Sequence, residues 1–271
     1  EILVRLRATM LPRGPDEEGI YRDGALGLCH RRLSIIGVST GRQPLHGSDP
    51  RYWIVFNGEI YNYRDLRRDL EQRGHGFHTE SDTEVIVNAY AEYGPDCVQR
   101  LNGMFAFAIW DTQTRALFLA RDRMGVKPLY YHDGPGAFVF GSEIKAVLAS
   151  GQIKAHLDTE RVWEYFVYRG VTGENTLFAG IRSLLPGHWM RVTAAGCEVR
   201  QFWSHRRTEF PLPCTLEGST ARLEELLIDA VRIRLMSEVP LGTFCSGGGD
   251  SSLGTAIAAR QCTVCVVAHG S

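Results

Sequence analysis

Net charge, long apolar runs and a compact cysteine framework are all missing from this chain, and each absence removes a class of function. Lys and Arg number 30 against 31 Asp and Glu, a formal net charge of −1. That balance gives no electrostatic case for nucleic acid or for an anionic membrane surface. No apolar run reaches the ~18 residues a membrane helix needs, and the first residues lack a signal-peptide core. Seven cysteines are scattered without the spacing of a disulfide-stapled scaffold, which favours reduced thiols and a cytoplasmic protein. Cys262 and Cys265 form one CxxC, but no second pair accompanies it, so no metal site is assigned. What is present is an ordinary globular composition, 44% hydrophobic and 23% charged over 271 residues. That length accommodates one large domain or two modest ones.

The order of periodic segments divides the chain. Glu1 to Met10 predicts an amphipathic helix with Ile2, Leu3, Leu6 and Met10 near one face, broken by Arg13-Gly14-Pro15-Asp16. Strand-like segments follow at Ala25–Cys29, Tyr52–Phe56, Met104–Trp110, Ala116–Ala120 and Ala137–Phe140. Helices are expected over Tyr63 to Arg73 and Ser81 to Tyr93, the latter capped by Ser81 or Asp82. Phe105, Phe107, Ile109 and Trp110 make a strand apolar on both faces, as one buried between two layers should be. The expected fold class is therefore α/β, a layered sandwich.

Near residue 200 the pattern lapses: Phe202 to Ser219 holds His205-Arg206-Arg207, two prolines and no period. We place a first domain at 1–203, a linker at 204–218 and a second domain at 219–271. In the last, a helix over Thr220 to Met236 precedes a strand Val239–Cys245, a glycine loop, a helix Ser251–Arg260 and a strand Thr263–Ala268, the start of a parallel βαβ unit. About 50 residues cannot close a doubly wound sheet, so the second domain is expected to be a fragment.

The loop between strand and helix reads Phe244-Cys245-Ser246-Gly247-Gly248-Gly249-Asp250-Ser251-Ser252. Small residues free backbone N–H groups at a helix N-terminus, a cradle suited to phosphate. It has no Walker-type lysine. Ser246 and Ser251 offer hydroxyls, and Asp250 can cap the helix or hold a cation. The plainer alternative is a flexible Gly/Ser linker.

Ser246 to Ser252 resembles the Ser-Gly-Gly-x-Asp-Ser-Ser loop of ATP pyrophosphatases, with Gly249 where that family usually has a larger apolar residue. Upstream, several segments together resemble the class II glutamine amidotransferase domain. They are Arg13-Gly14-Pro15-Asp16, His30-Arg31-Arg32-Leu33-Ser34-Ile35, Phe56-Asn57-Gly58-Glu59-Ile60-Tyr61-Asn62, Ser81-Asp82-Thr83-Glu84, Gly103-Met104-Phe105-Ala106-Phe107 and Arg121 to Tyr131. The whole chain is similar to the glutamine-hydrolysing asparagine synthetase family, and especially to the amidotransferases of exopolysaccharide gene clusters.

The resemblance implies an αββα sandwich of the Ntn-hydrolase type, followed by the start of a parallel ATP-pyrophosphatase domain. It implies that Asn57 and the Gly58 N–H form an oxyanion hole, where a tight Asn-Gly turn is the plainer reading. It implies a glutamine site made of Arg32, Leu33, Ser34, Ile35, Ile36, Asn57, Gly58, Glu59 and Asp82, with Arg32 on the α-carboxylate and Asp82 on the α-amine. By themselves, Arg32 reads as a solvated charge and Asp82 as a helix cap. Phe244, Cys245, Ser246, Gly247, Gly248, Asp250 and Ser251 would bind ATP, with Mg²⁺ as cofactor. The implied reaction is amidation of a carboxylate, aspartate's being the expected acceptor. Glutamine and ATP are consumed, and glutamate, AMP and pyrophosphate released, within amino-acid biosynthesis. Nucleic acid and membrane are not expected partners; a homodimer is an open assembly.

One departure stands out. The family's nucleophile is an N-terminal cysteine on a strand before the first helix, and this chain starts at Glu1, inside that helix. Cys29 is internal and has no α-amine beside it. The chain as given is expected to be a piece of a longer protein and inactive toward glutamine. Two alternatives remain: a β-lactam-synthetase-like ligase without glutaminase chemistry, and a non-catalytic glutamine-binding relative.

Overall fold

The computed structural model describes residues 1–205, 215–261 and 267–269. The chain divides into two compact units, Glu1–Ser204 and His205–Ser271. The first unit opens with α1 (Ile2–Thr9), β1 (Glu17–Asp23), β2 (Leu26–Arg32), β3 (Leu45–His46), β4 (Tyr52–Ile60), α2 (Tyr63–Gln72) and α3 (Asp82–Tyr93). It continues through α4 (Cys97–Arg100), β5 (Gly103–Asp111), β6 (Ala116–Arg121), β7 (Tyr130–Gly134), β8 (Ala137–Gly141) and α5 (Ile144–Ala149). It ends with α6 (Thr159–Tyr168), β9 (Arg182–Ser183), β10 (His188–Thr193) and β11 (Gly196–Gln201).

A six-stranded sheet of order β11-β10-β6-β5-β4-β3 forms its centre, beside a three-stranded sheet β8-β7-β9 and the hairpin β1-β2. β5 is buried from Phe105 to Asp111, so both its faces are covered. One face turns Phe105, Phe107 and Ile109 toward the helices, where Phe118 of β6 meets Tyr90 of α3 at 4.9 Å between ring centres. The other face contributes Ala106, Ala108 and Trp110 to a core shared with Leu28, Val55, Leu129, Tyr131 and Met190. Helix, sheet, sheet and helix thus stack as an αββα sandwich, with α2 and α3 outside one sheet and α1 and α5 outside the other strands. Phe107, Ile109 and Phe118 are each at most 2% exposed. Burial of each such side chain stabilises the fold by roughly 1.5–3 kcal/mol.

Where expectation and structure differ, the reasons are local. β1 has the polar sequence Glu17 to Asp23 and no apolar alternation, so periodicity does not reveal it. Its antiparallel ladder to β2 is reinforced by ion pairs, Glu18 with Arg31 at 2.6 Å and Glu17 with Arg32 at 2.7 Å. β2 extends three residues past the expected Cys29, to Arg32. α1 turns Leu6 inward but leaves Ile2 41% exposed, so Ile2 is not on the buried face. The hairpin β10–β11 and helix α6 were not anticipated; β11 is exposed at every residue and carries no amphipathic signal.

The second unit comprises α7 (Leu216–Arg232), β12 (Gly242–Phe244), α8 (Gly249–Gln261) and β13 (Val267–His269), with β12 and β13 parallel. The expected strand Val239–Cys245 shrinks to three residues, and the helix begins at Gly249 rather than Ser251. Most of the expected linker and both residues of the CxxC, Cys262 and Cys265, lie outside the described residues. Among the described residues no helix is long and apolar enough to cross a membrane.

Candidate active site

The site is built on the stretch of the outer β4 edge that lies beyond its short pairing with β3. Phe105 of β5 turns its N–H toward the Asp122 carboxylate at 3.1 Å and accepts the Asp122 N–H at 2.8 Å. Gly58 is its register partner, so Gly58 directs its own N–H and C=O away from β5. On that outward edge β3 pairs only with Trp53 and Ile54. Beyond them side chains take over. Phe56 N–H donates to Gln43 Oε1 at 2.6 Å, His30 Nε2 donates to the Phe56 carbonyl at 2.9 Å, and Ile60 N–H donates to Asp82 Oδ2 at 3.0 Å. Between these bonds stands Gly58, whose N–H meets no side chain among the described residues. Beside it, Asn57 Nδ2 is buried without a hydrogen-bond partner. Two donors that find no side-chain partner among the described residues therefore line one cavity, as an oxyanion site requires. A Cβ on Gly58 would stand 2.1 Å from the Met104 carbonyl oxygen, so only glycine permits this approach.

Arg32 ends β2 and is 6% exposed. Its Nη1 meets Glu17 at 2.7 Å and the Val38 carbonyl at 3.3 Å, while Nη2 meets the carbonyls of Ile36 and Gly37 at 2.7 and 2.8 Å. The planar fork thus shapes the Ile36–Val38 turn as well as carrying charge. The solvated-charge reading of Arg32 is corrected here: the side chain is buried and paired.

Asp82 opens α3, but Ser81 is the cap, its Oγ accepting from Thr83 N–H at 3.1 Å. The helix-cap reading of Asp82 is therefore set aside. Burial raises its carboxyl to about 6, despite hydrogen bonds from the Ile60 and Thr83 N–H groups and the nearby charge of Arg32. A carboxylate so desolvated gains from meeting a cation.

Arg32, Leu33, Ile35, Ile36, Asn57, Gly58, Glu59 and Asp82 all line one cavity of about 980 Å³ in the first unit. Ser34 does not; its N–H is instead held by Asp16 Oδ2 at 2.8 Å. His30, Gln43 and Thr83 also line the cavity, and sequence reasoning gave none of them a role. The hint available for His30 was its place in the His30-Arg31-Arg32 segment; Gln43, before the cis Gln43–Pro44 bond, offered none. Cys29 lines the cavity too, with its thiol pushed up to about 11 by burial, hence protonated at neutral pH.

In the second unit the loop from Cys245 to Ser252 is closed by hydroxyls. Ser251 Oγ accepts from Ser246 N–H at 3.2 Å, lies 3.1 Å from Ser246 Oγ and donates to the Gly248 carbonyl at 3.1 Å. Gly247 adopts φ +79°, which favours glycine. Asp250 falls in the first turn of α8. Phe244 is 90% exposed. Hydrogen bonding from the Gly247 N–H and neighbouring hydroxyls lowers the Cys245 thiol from its ordinary range.

Residues 1–203 match the family described as "Glutamine amidotransferase domain", and residues 222–268 match "Asparagine synthase". Asparagine synthetase [glutamine-hydrolyzing] 3 of Bacillus subtilis is 41% identical over 261 residues, which is 94% of this chain and 42% of that protein. Asparagine synthetase [glutamine-hydrolyzing] 1 of the same organism is 37% identical, over 95% of this chain and 40% of that protein. The chain thus spans less than half the length of these two relatives. Among solved structures, a glutamine phosphoribosylpyrophosphate amidotransferase from B. subtilis complexed with ADP and GMP aligns with a TM-score of 0.54 at 18% identity. That alignment covers 99% of this chain and 62% of that one, and at such identity it speaks for the fold alone. With three quarters of its length matched, and that stretch of the outer β4 edge lying within the match, the chain belongs to the glutamine amidotransferase domain family.

Proposed function

We propose that the first unit binds glutamine and, in the intact protein, releases its amide nitrogen for an ATP-consuming amidation of a carboxylate by an asparagine-synthetase-type domain. The observation that carries this reading is the unsatisfied Asn57 Nδ2 beside the outward-facing Gly58 N–H, in the same cavity as Arg32 and Asp82. A free amino acid presents one anion, one cation and one neutral amide, and the cavity offers a partner to each. Asp82 takes the α-ammonium. Arg32 takes the α-carboxylate, in exchange for the half-exposed Glu17. Asn57 and Gly58 then face the side-chain carbonyl, where a tetrahedral oxyanion would form.

Cys29 is not proposed as the nucleophile, because its thiol is held protonated. A polypeptide limited to residues 1–271 is therefore expected to bind glutamine without hydrolysing it. The substrate carboxylate is proposed to be aspartate's, on the strength of the relatives' names. ATP would meet the Ser246–Ser251 loop, whose hydroxyls and φ +79° glycine suit phosphate oxygens. Among the described residues no cluster of His, Cys, Asp or Glu forms a metal site of its own. The donor set instead fits Mg²⁺ arriving with the nucleotide, Asp250 being the loop's carboxylate, and the ion's chemistry would be neutralisation of phosphate charge.

Isothermal titration of residues 1–271 with glutamine and with ATP tests the proposal. Saturable heat with glutamine, lost in Asp82→Ala, is expected. No glutamine binding by a folded chain would overturn the reading.

A further inference from the structure

The N–H and C=O of Phe56 are both taken by side chains from other elements. Gln43 Oε1 accepts the N–H at 2.6 Å, and His30 Nε2 donates to the carbonyl at 2.9 Å. Because a carbonyl can only accept, the His30 proton sits on Nε2, and Nδ1 is left buried without a partner. Burial holds that imidazole neutral, down to about 4. Gln43 is 5% exposed, and its amide also donates from Nε2 to Thr83 Oγ1 at 3.2 Å. Thr83 follows Asp82 in α3, His30 lies two residues before Arg32 in β2, and Phe56 immediately precedes Asn57. Two side chains therefore join the three elements that bear the charged and polar groups of the cavity.

We propose that His30 and Gln43 are positioning residues of this site: by gripping Phe56 from β2 and from the loop before β3, they fix the direction of the Gly58 N–H and the Asn57 amide. The physical need is specific. Around Gly58 the ladder to β5 holds β4 from one side only, and on the other side no strand pairs with it among the described residues. A small rotation of the plane at Gly58 would turn the N–H away from the reacting carbonyl. A full neighbouring strand would hold the edge but would also consume that N–H. Side chains at Phe56 and Ile60 hold the strand on both sides of Gly58 and leave its donor open. Neither His30 nor Gln43 needs to touch substrate to act in this way.

The inference rests on the glutamine reading for its catalytic consequence, but the grip itself can be measured without substrate. The full-length protein is compared as wild type, Gln43→Met, Gln43→Glu, His30→Met and His30→Gln. Hydrogen–deuterium exchange over peptides spanning residues 52–60 reports the grip. Exchange should quicken at least tenfold in Gln43→Met and stay within threefold of wild type in Gln43→Glu, which keeps an acceptor for the Phe56 N–H. Glutamine hydrolysis should lose 10- to 100-fold in kcat in Gln43→Met and His30→Met, with KM changed less than threefold. His30→Gln, whose amide nitrogen can reach the place of Nε2, should recover most of kcat. Unchanged exchange in a folded Gln43→Met overturns the grip. A loss confined to KM overturns the positioning role, because it would make these residues substrate contacts. Wild type that binds no glutamine in calorimetry would sink the glutamine reading, and exchange over 52–60 would then decide the grip alone.

Discussion

The N–H of Ile60 donates to Asp82 Oδ2 at 3.0 Å, so the carboxylate at the start of α3 is bonded to the strand that carries Gly58 two residues earlier. The position of Asp82 is thereby set by the same strand that carries Asn57 and Gly58. The carboxyl's rise to about 6 follows from its burial there.

The proposed glutamine site should therefore be pH-dependent. Asp82 must be ionised to receive an ammonium group, so affinity should be flat above about pH 6 and fall by roughly tenfold per unit below it. Titration calorimetry from pH 5 to 8 checks this, and Asp82→Asn should bind weakly and without that slope.

Folding stability should carry two opposed slopes. His30 is depressed to about 4 in the fold, so the unfolded chain binds its proton more readily, and this contribution is full above about 6.5 and lost on acidification toward 4. Asp82 is raised, so its contribution is present below about 4 and lost as pH rises through about 6. Each shift corresponds to roughly 3 kcal/mol. They oppose one another in the wild type between pH 4 and 6. Denaturant unfolding of Asp82→Asn should expose the His30 slope, stability climbing with pH across that window.

Gly58→Ala should damage both fold and site. Its Cβ would meet the Met104 carbonyl oxygen at 2.1 Å, and backbone cannot yield as a flexible side chain does. A loss on the order of 1–3 kcal/mol in stability is expected from the forced shift. In the intact protein kcat for glutamine should fall at least about 10²-fold, as when one oxyanion donor is removed.

The sandwich was largely legible because β5 and its neighbours carry apolar residues on both faces, a pattern set by burial alone. Arg32, Asn57, Gly58 and Asp82 were legible through their segments. What sequence reading missed was what holds them. Glu17 lies in a strand with no apolar period, and Gln43 acts through two hydrogen bonds 13 and 40 residues away in sequence. Contacts at such separations leave no local spacing to read. Ser34 shows the converse: it sits in the right segment, yet the structure spends its N–H on Asp16.

The proposed nucleotide role of the second unit's loop gives a test that separates two half-reactions. In the intact protein Asp250→Ala should abolish pyrophosphate release from ATP while glutamine hydrolysis stays within about threefold, since the loop and the glutamine cavity belong to different units. Pyrophosphate release that survives the change would leave the loop without the proposed nucleotide role.

The most direct test is a crystal structure of residues 1–271 soaked with glutamine, because a cavity whose cysteine, Cys29, is held protonated should keep the substrate unreacted. The side-chain carbonyl oxygen is expected within about 3.2 Å of both Gly58 N and Asn57 Nδ2. The α-ammonium is expected on Asp82 and the α-carboxylate on Arg32. Glutamine bound elsewhere, or bound here with its amide turned away from Gly58, would contradict the proposal.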